Sequence, residues 1–196
     1  GECHQHLGNY EKAKVYLYRA LAKDPRDAVI YFHIGQCYAK EGIWESSLHF
    51  FKQAVKLHPQ HDVYSAALAN NYLQLGAADK ALPLYRQAIK ALPEIGEYWV
   101  ALCRIYIEKT EVDTAMTILE RAFENAYDAK LLYGQAACQF IKGEKKAAMD
   151  TLRDALLEGF EERKLLFDIC PELKTDNDVS AIIAYYGVEL GFEVSK

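Results

Sequence analysis

The feature that most constrains this chain is an internal ruler. Gly8, Gly42 and Gly76 stand 34 residues apart, and Gly143 follows 67 residues later, one further step of 34 and one of 33. Ala20, Ala54, Ala88, Ala122 and Ala155 keep the same phase, as do Pro25, Pro59 and Pro93. Three residue types locked to one interval mean repeated supersecondary units. Such a unit cannot bury its apolar face alone, so neighbouring units must stack.

Within a unit the spacing predicts two helices. Tyr31, Ile34 and Tyr38 recur at helical intervals, Gly42 permits a tight turn, and Leu48, Phe51 and Val55 form a second apolar stripe. Pro59 breaks that helix, and the next is expected to begin near Asp62. Small residues at Ser47, Ala81 and Ala115, and at Ala54, Ala88 and Ala122, let adjacent helices approach closely. No segment alternates at the two-residue period of a strand. The chain is predicted to be all-α.

The segments GNYEKAKVYLYRALAKDP, GIWESSLHFFKQAVKLHP and GAADKALPLYRQAIKALP resemble the tetratricopeptide repeat (TPR) family, in its bacterial form. The resemblance implies an α-solenoid of stacked antiparallel helix pairs wound into a right-handed superhelix. It covers residues 1 to about 160: an incomplete unit at 1–27, then units at 28–61, 62–95, 96–128 and 129–160. The 96–128 unit departs most, with Thr110 in place of the turn glycine and Tyr127 in place of the proline. Phe160 stands where the next proline would fall, and Pro83 lies inside a second helix, where a kink or a lost hydrogen bond is expected.

The opening stretch GECHQHLG, with Cys3, His4 and His6, superficially suggests a zinc site. Aligned on the ruler it matches GQCYAKEG at 35–42, so Cys3 falls with Cys37 and Cys138, and His4 with Tyr38, Tyr72 and Tyr106. These are packing positions, and no metal is expected. The alignment also starts Gly1 in mid-helix, so the expectation is a fragment with more chain upstream. Residues 161–196 leave the ruler. A short helix stopped at Pro171 and a final helix capped by Asp176 or Asn177 are expected to cover the last repeat with Leu165, Leu166, Ile169, Ile182, Ile183 and Tyr186. The run LLFDICPEL resembles closing segments of bacterial TPR proteins.

Composition narrows function. A net charge of −5 argues against a phosphate-binding surface and hence against nucleic acid. No apolar run reaches the roughly 18 residues of a membrane span. Five cysteines without a CxxC pair suggest free thiols and a reducing, cytoplasmic setting. No nucleophile elbow, phosphate-binding loop or HExxH motif occurs, so neither enzyme activity nor a cofactor is expected. His58 and His61 flank an inter-repeat turn with no third ligand nearby. Glu144, Lys145 and Lys146 read as a solvated face, and Cys170 as an unactivated thiol.

Function is then expected from shape. In TPR proteins the first helices of successive units line a groove that takes a peptide or helix of another protein. Carried onto this sequence, that resemblance implies Val29, Phe32, His33, Gln36 and Lys40, then Val63, Ala66, Asn70, Leu73 and Gln74, then Glu97, Val100, Arg104, Ile107 and Glu108, with Lys130 and Tyr133 beyond. Phe32, Arg104 and Tyr133 are the expected anchors, since aromatic and arginine side chains dominate interface energies. The residues that would grip a carboxylate-ended chaperone tail match only at Asn70 and Lys130, which argues against that ligand. The expected partner presents apolar anchors on an amphipathic helix or an extended segment. Self-association through exposed array ends and helical-repeat RNA binding are the alternatives. The acidic balance disfavours RNA.

Overall fold

A computed structural model describes residues 9–192; Cys3, His4, His6 and Gly8 lie outside them. Every regular element among the described residues is helical. The chain divides into two compact units, Gly1–Leu92 and Pro93–Lys196.

The first unit contains α1 (Tyr10–Lys23), α2 (Ala28–Lys40), α3 (Trp44–Leu57), α4 (Asp62–Gln74) and α5 (Ala78–Ala91). Helices α2 and α3 form one closely packed pair, α4 and α5 another, and α1 lies against α2. The pairs turn at Gly42 (φ 74°) and Gly76 (φ 69°). At the first turn Gly42 N–H donates to Ala39 O (3.0 Å) and Ile43 N–H to Tyr38 O (2.9 Å). At the second, Gly76 N–H donates to Leu73 O (2.9 Å) and Ala77 N–H to Tyr72 O (2.8 Å). Left-handed backbone followed by these paired bonds satisfies the last carbonyls of the helix, and glycine adopts it without a Cβ clash. Asp27 starts α2 by accepting from Val29 N–H and Ile30 N–H. Pro83 is exposed inside α5, which continues through it to Ala91.

Two apolar clusters hold this unit. Ala13, Leu17, Ile34 and Cys37 join α1 to α2. Ala28, Phe32, Phe51, Ala54, Tyr64 and Leu68 join α2, α3 and α4. Gly35 brings α2 onto α3, because a Cβ there would meet the Phe51 ring at 2.7 Å. Lys14 reaches from α1 to the end of α2, with its Nζ 2.8 Å from Glu11 and 2.6 Å from Glu41.

The second unit contains α6 (Gly96–Glu108), α7 (Val112–Phe123), α8 (Ala129–Ile141), α9 (Lys145–Glu158), a short α10 (Lys164–Ile169) and α11 (Asn177–Glu189). Gly143 makes the α8–α9 turn at φ 78°, and Thr110 makes the α6–α7 turn at φ 62°. The Thr110 turn keeps the same bonds, Thr110 N–H to Ile107 O (2.9 Å) and Glu111 N–H to Tyr106 O (2.8 Å). A β-branched residue thus does a glycine's task. Leu166, Val179 and Ile183 are buried with Ala136, Leu152 and Leu156, and Leu165, Ile169, Ile182 and Tyr186 pack around them. Asp176 caps α11 by accepting from Asp178 N–H and Val179 N–H, and also receives Lys145 of α9 at 3.1 Å. No helix among the described residues is long and apolar enough to cross a membrane.

Candidate functional site

On the first unit, α2 and α4 each turn one row of side chains outward. Along α2, Val29 is 47% exposed and Lys40 is exposed in the last turn. His33 and Gln36 are half-buried and share a hydrogen bond of 3.0 Å. Along α4, Val63 is 41% exposed, Asn70 and Gln74 are exposed, and Leu73 is half-buried. Asn70 Oδ1 accepts from Tyr85 OH at 2.5 Å. Two residues expected on this face belong to the core instead. Phe32 is only 9% exposed, its ring 5.0 Å from Tyr64 and 5.9 Å from Phe51, and Ala66 is buried as well. Their positions face the adjoining helix, so Phe32 cannot serve as an accessible anchor.

Between the C-terminal half of α2 and α4 lies a pocket of about 240 Å³. Ala39, Trp44, Phe51 and Ala67 give it apolar walls, and the exposed amides of Asn70 and Gln74 border it. Asn71, fully buried, is the remaining lining residue. The space follows from one small side chain. At the place of Ala39 the other units carry Leu73, Ile107 and Phe140.

On the second unit, α6 presents Glu97 and Glu108 exposed, with Arg104 and Ile107 half-buried and Val100 buried. Lys130 of α8 is half-buried and its cation is engaged, 3.2 Å from Glu162 and 4.0 Å from Asp128. Burial pulls the Lys130 pKa down, but these carboxylates outweigh it and the net direction is up. Tyr133 is wholly buried and its hydroxyl donates to Gly159 O at 3.1 Å. It fastens α8 to the end of α9 and is no surface anchor. Like Phe32 and Val100, it sits where the apolar stripe of a first helix continues inward, a boundary that spacing alone does not resolve.

Little here favours covalent chemistry. Cys37, Cys103, Cys138 and Cys170 are buried and outside any disulfide. Burial pushes the Cys138 thiol up to about 12, and burial followed by Glu172 pushes Cys170 up to about 12. Cys103 is raised in the same direction by burial, with Cys138 adding to it. Neutral thiols are poor nucleophiles and poor metal ligands. His61 stacks on Tyr64 with ring centroids 3.9 Å apart, and His58 ends α3 exposed to solvent. Among the described residues no group of three or more His, Cys, Asp and Glu side chains is placed to hold a metal ion.

The pocket residues Ala39, Trp44, Phe51, Ala67 and Asn71 were not among the sequence candidates. Asn71 carried a readable signal. Its counterparts in the other units are Cys37, Ile105 and Cys138, all buried, so an amide there breaks the apolar pattern. Ser47 breaks it too, among Ala81, Ala115 and Ala148.

The family model described as "Tetratricopeptide repeat" matches residues 6–71 and 72–134, well over half of the chain. The chain belongs to the tetratricopeptide repeat family. Solved TPR structures share its fold at low identity. One is MamA, residues 41 to the end, from Desulfovibrio magneticus RS-1: 18% identity, TM-score 0.69, covering 79% of this chain and 88% of that one. A thermophilic TPR protein of Thermus thermophilus is 20% identical with TM-score 0.66, covering 87% of this chain and 93% of that one. YrrB, described as a TPR protein with an unusual peptide-binding site, is 15% identical with TM-score 0.60, over 88% of this chain and 91% of that one. No curated protein matches the sequence.

Proposed function

We propose that this TPR chain is a non-catalytic interaction module that holds a peptide or a helix of another protein against the face of α2 and α4. TPR proteins generally mediate protein–protein interactions, and the observation that carries the finer reading is local. Exposed Val29 and Val63 stand on the same two helices as a pocket of about 240 Å³, bordered by uncharged amides. Apolar contacts supply affinity there, and Gln36, Asn70 and Gln74 supply hydrogen bonds to a peptide backbone. A carboxylate-ended tail suits the site poorly, since no cationic side chain lines the pocket to meet the anion. Buried thiols outside any disulfide support a reducing, cytoplasmic setting.

The test is selection of binders from a random peptide display library on the intact protein, followed by affinity measurement against Val63→Asp and Gln74→Arg. Both positions are partly or wholly solvent-facing, so the helical circular dichroism should be unchanged. The expected result is a set of peptides whose affinity falls about tenfold or more with each variant. Failure to select any peptide sensitive to Val63→Asp overturns the assignment of this face.

A further inference from the structure

Asn71, which lines the pocket between α2 and α4, carries a buried acceptor with no donor. Ser47 Oγ donates its proton to the Trp44 carbonyl at 3.0 Å, so toward Asn71 it has only lone pairs to offer. Asn71 Nδ2 donates to that Ser47 oxygen. Asn71 Oδ1 is left buried and without a hydrogen-bond partner. A buried carbonyl in that state bears a desolvation penalty that no hydrogen bond offsets. Both polar residues replace apolar or small ones at the matching positions of the other units.

We infer that this pocket receives one aromatic side chain of the partner that carries a hydrogen-bond donor, tryptophan or tyrosine, whose N–H or O–H is accepted by Asn71 Oδ1. The inference rests on the peptide-binding reading and specifies what the peptide inserts. Three observations point to this occupant. The walls are Trp44, Phe51, Ala39 and Ala67, which suit an apolar ring body. The volume, about 240 Å³, lies below the roughly 300–1,000 Å³ of small-molecule sites and suits a single side chain. The unpartnered group is an acceptor, which a phenylalanine or leucine would leave unsatisfied and an indole or phenol would not. No charged residue lines the pocket, which disfavours a lysine or arginine as the donor.

The selection described above also tests this inference. Enriched peptides should share a Trp or Tyr, and replacing that residue by Phe should weaken binding about tenfold. Ala39→Phe and Ala39→Leu place in the pocket the side chains that the chain itself carries at Phe140 and Leu73. Both should keep the circular dichroism spectrum and thermal midpoint while losing the selected peptides. The double variant Ser47→Ala with Asn71→Ile, built from the residues at Ala81 and Ile105, should still bind but no longer distinguish Trp from Phe. A purely structural Ser47–Asn71 pair would leave that preference intact and so overturn the inference. Peptides that are lost with Val63→Asp yet lack Trp and Tyr, or that bind Ala39→Phe normally, overturn it while leaving the peptide-binding face standing. Absence of any Val63-sensitive peptide overturns both.

Discussion

Single residues show where this chain departs from its own pattern, and each departure has a measurable consequence. Thr110 is the one non-glycine residue with positive φ among those described, at 62°. For a β-branched side chain that backbone costs about 1–2 kcal/mol. Thr110→Gly should therefore raise urea-denaturation stability by about 1 kcal/mol, after the greater unfolded-state freedom of glycine is deducted. An unchanged or lower midpoint would show that the turn is unstrained. The thiols give a second test. With Cys3 replaced by serine, a disulfide reagent at neutral pH should find no reactive thiol in the native protein and four in denaturant, because Cys37, Cys103, Cys138 and Cys170 are buried. Rapid native-state reaction at Cys170 would contradict the burial that raises its pKa. The sequence marked Thr110 as the glycine substitute but did not show that its backbone would follow the glycine path. That path is imposed by the turn bonds to Ile107 and Tyr106.

At the scale of helices, boundaries were largely legible because they depend on local chemistry. Asp62 starts α4 as the Pro59 break implies, and Asp176 caps α11 with its own carboxylate. The division of each exposed row between groove and core was less legible. Phe32, Val100 and Tyr133 share the spacing of surface positions but are covered by residues from neighbouring helices, an outcome of packing that no single helix encodes. Stacking of α1 on α2 follows from the repeat, but the ion pair that joins them was not legible, since Lys14 meets Glu41 across 27 positions of sequence. Burial lowers the Lys14 pKa, but hydrogen bonds to Glu11 and Glu41 outweigh it, and the net shift is upward. A raised folded-state pKa means the pairing contributes fully below the ordinary lysine range and is lost as pH rises through the elevated value. Glu41→Gln should destabilise the protein at neutral pH by about 1–3 kcal/mol, as it removes a charge-assisted partner from a cation that is almost wholly buried. Lys14→Met should cost less and should flatten the decline of stability above about pH 10. Urea titrations across pH check both, and a Lys14→Met loss larger than that of Glu41→Gln would reverse the argument.

For the molecule as a whole, repetition sets the fold and the exceptions to repetition set the site. Ala54, Ala88, Ala122 and Ala155 are completely buried, as the ruler requires of residues at close helix contacts. Ala39, Ser47 and Asn71 break the ruler together, and they gather around one pocket. The family resemblance implies a groove on first helices, whereas the pocket draws its walls from α3 as well, through Trp44 and Phe51. The location of the receptor face is therefore the central claim. Hydrogen–deuterium exchange of the intact protein, with and without a display-selected peptide, tests it most directly. Slowed exchange concentrated in α2, α4 and the start of α3 is the predicted result. Unchanged exchange there, with protection confined to α7, α9 or α11, would contradict it.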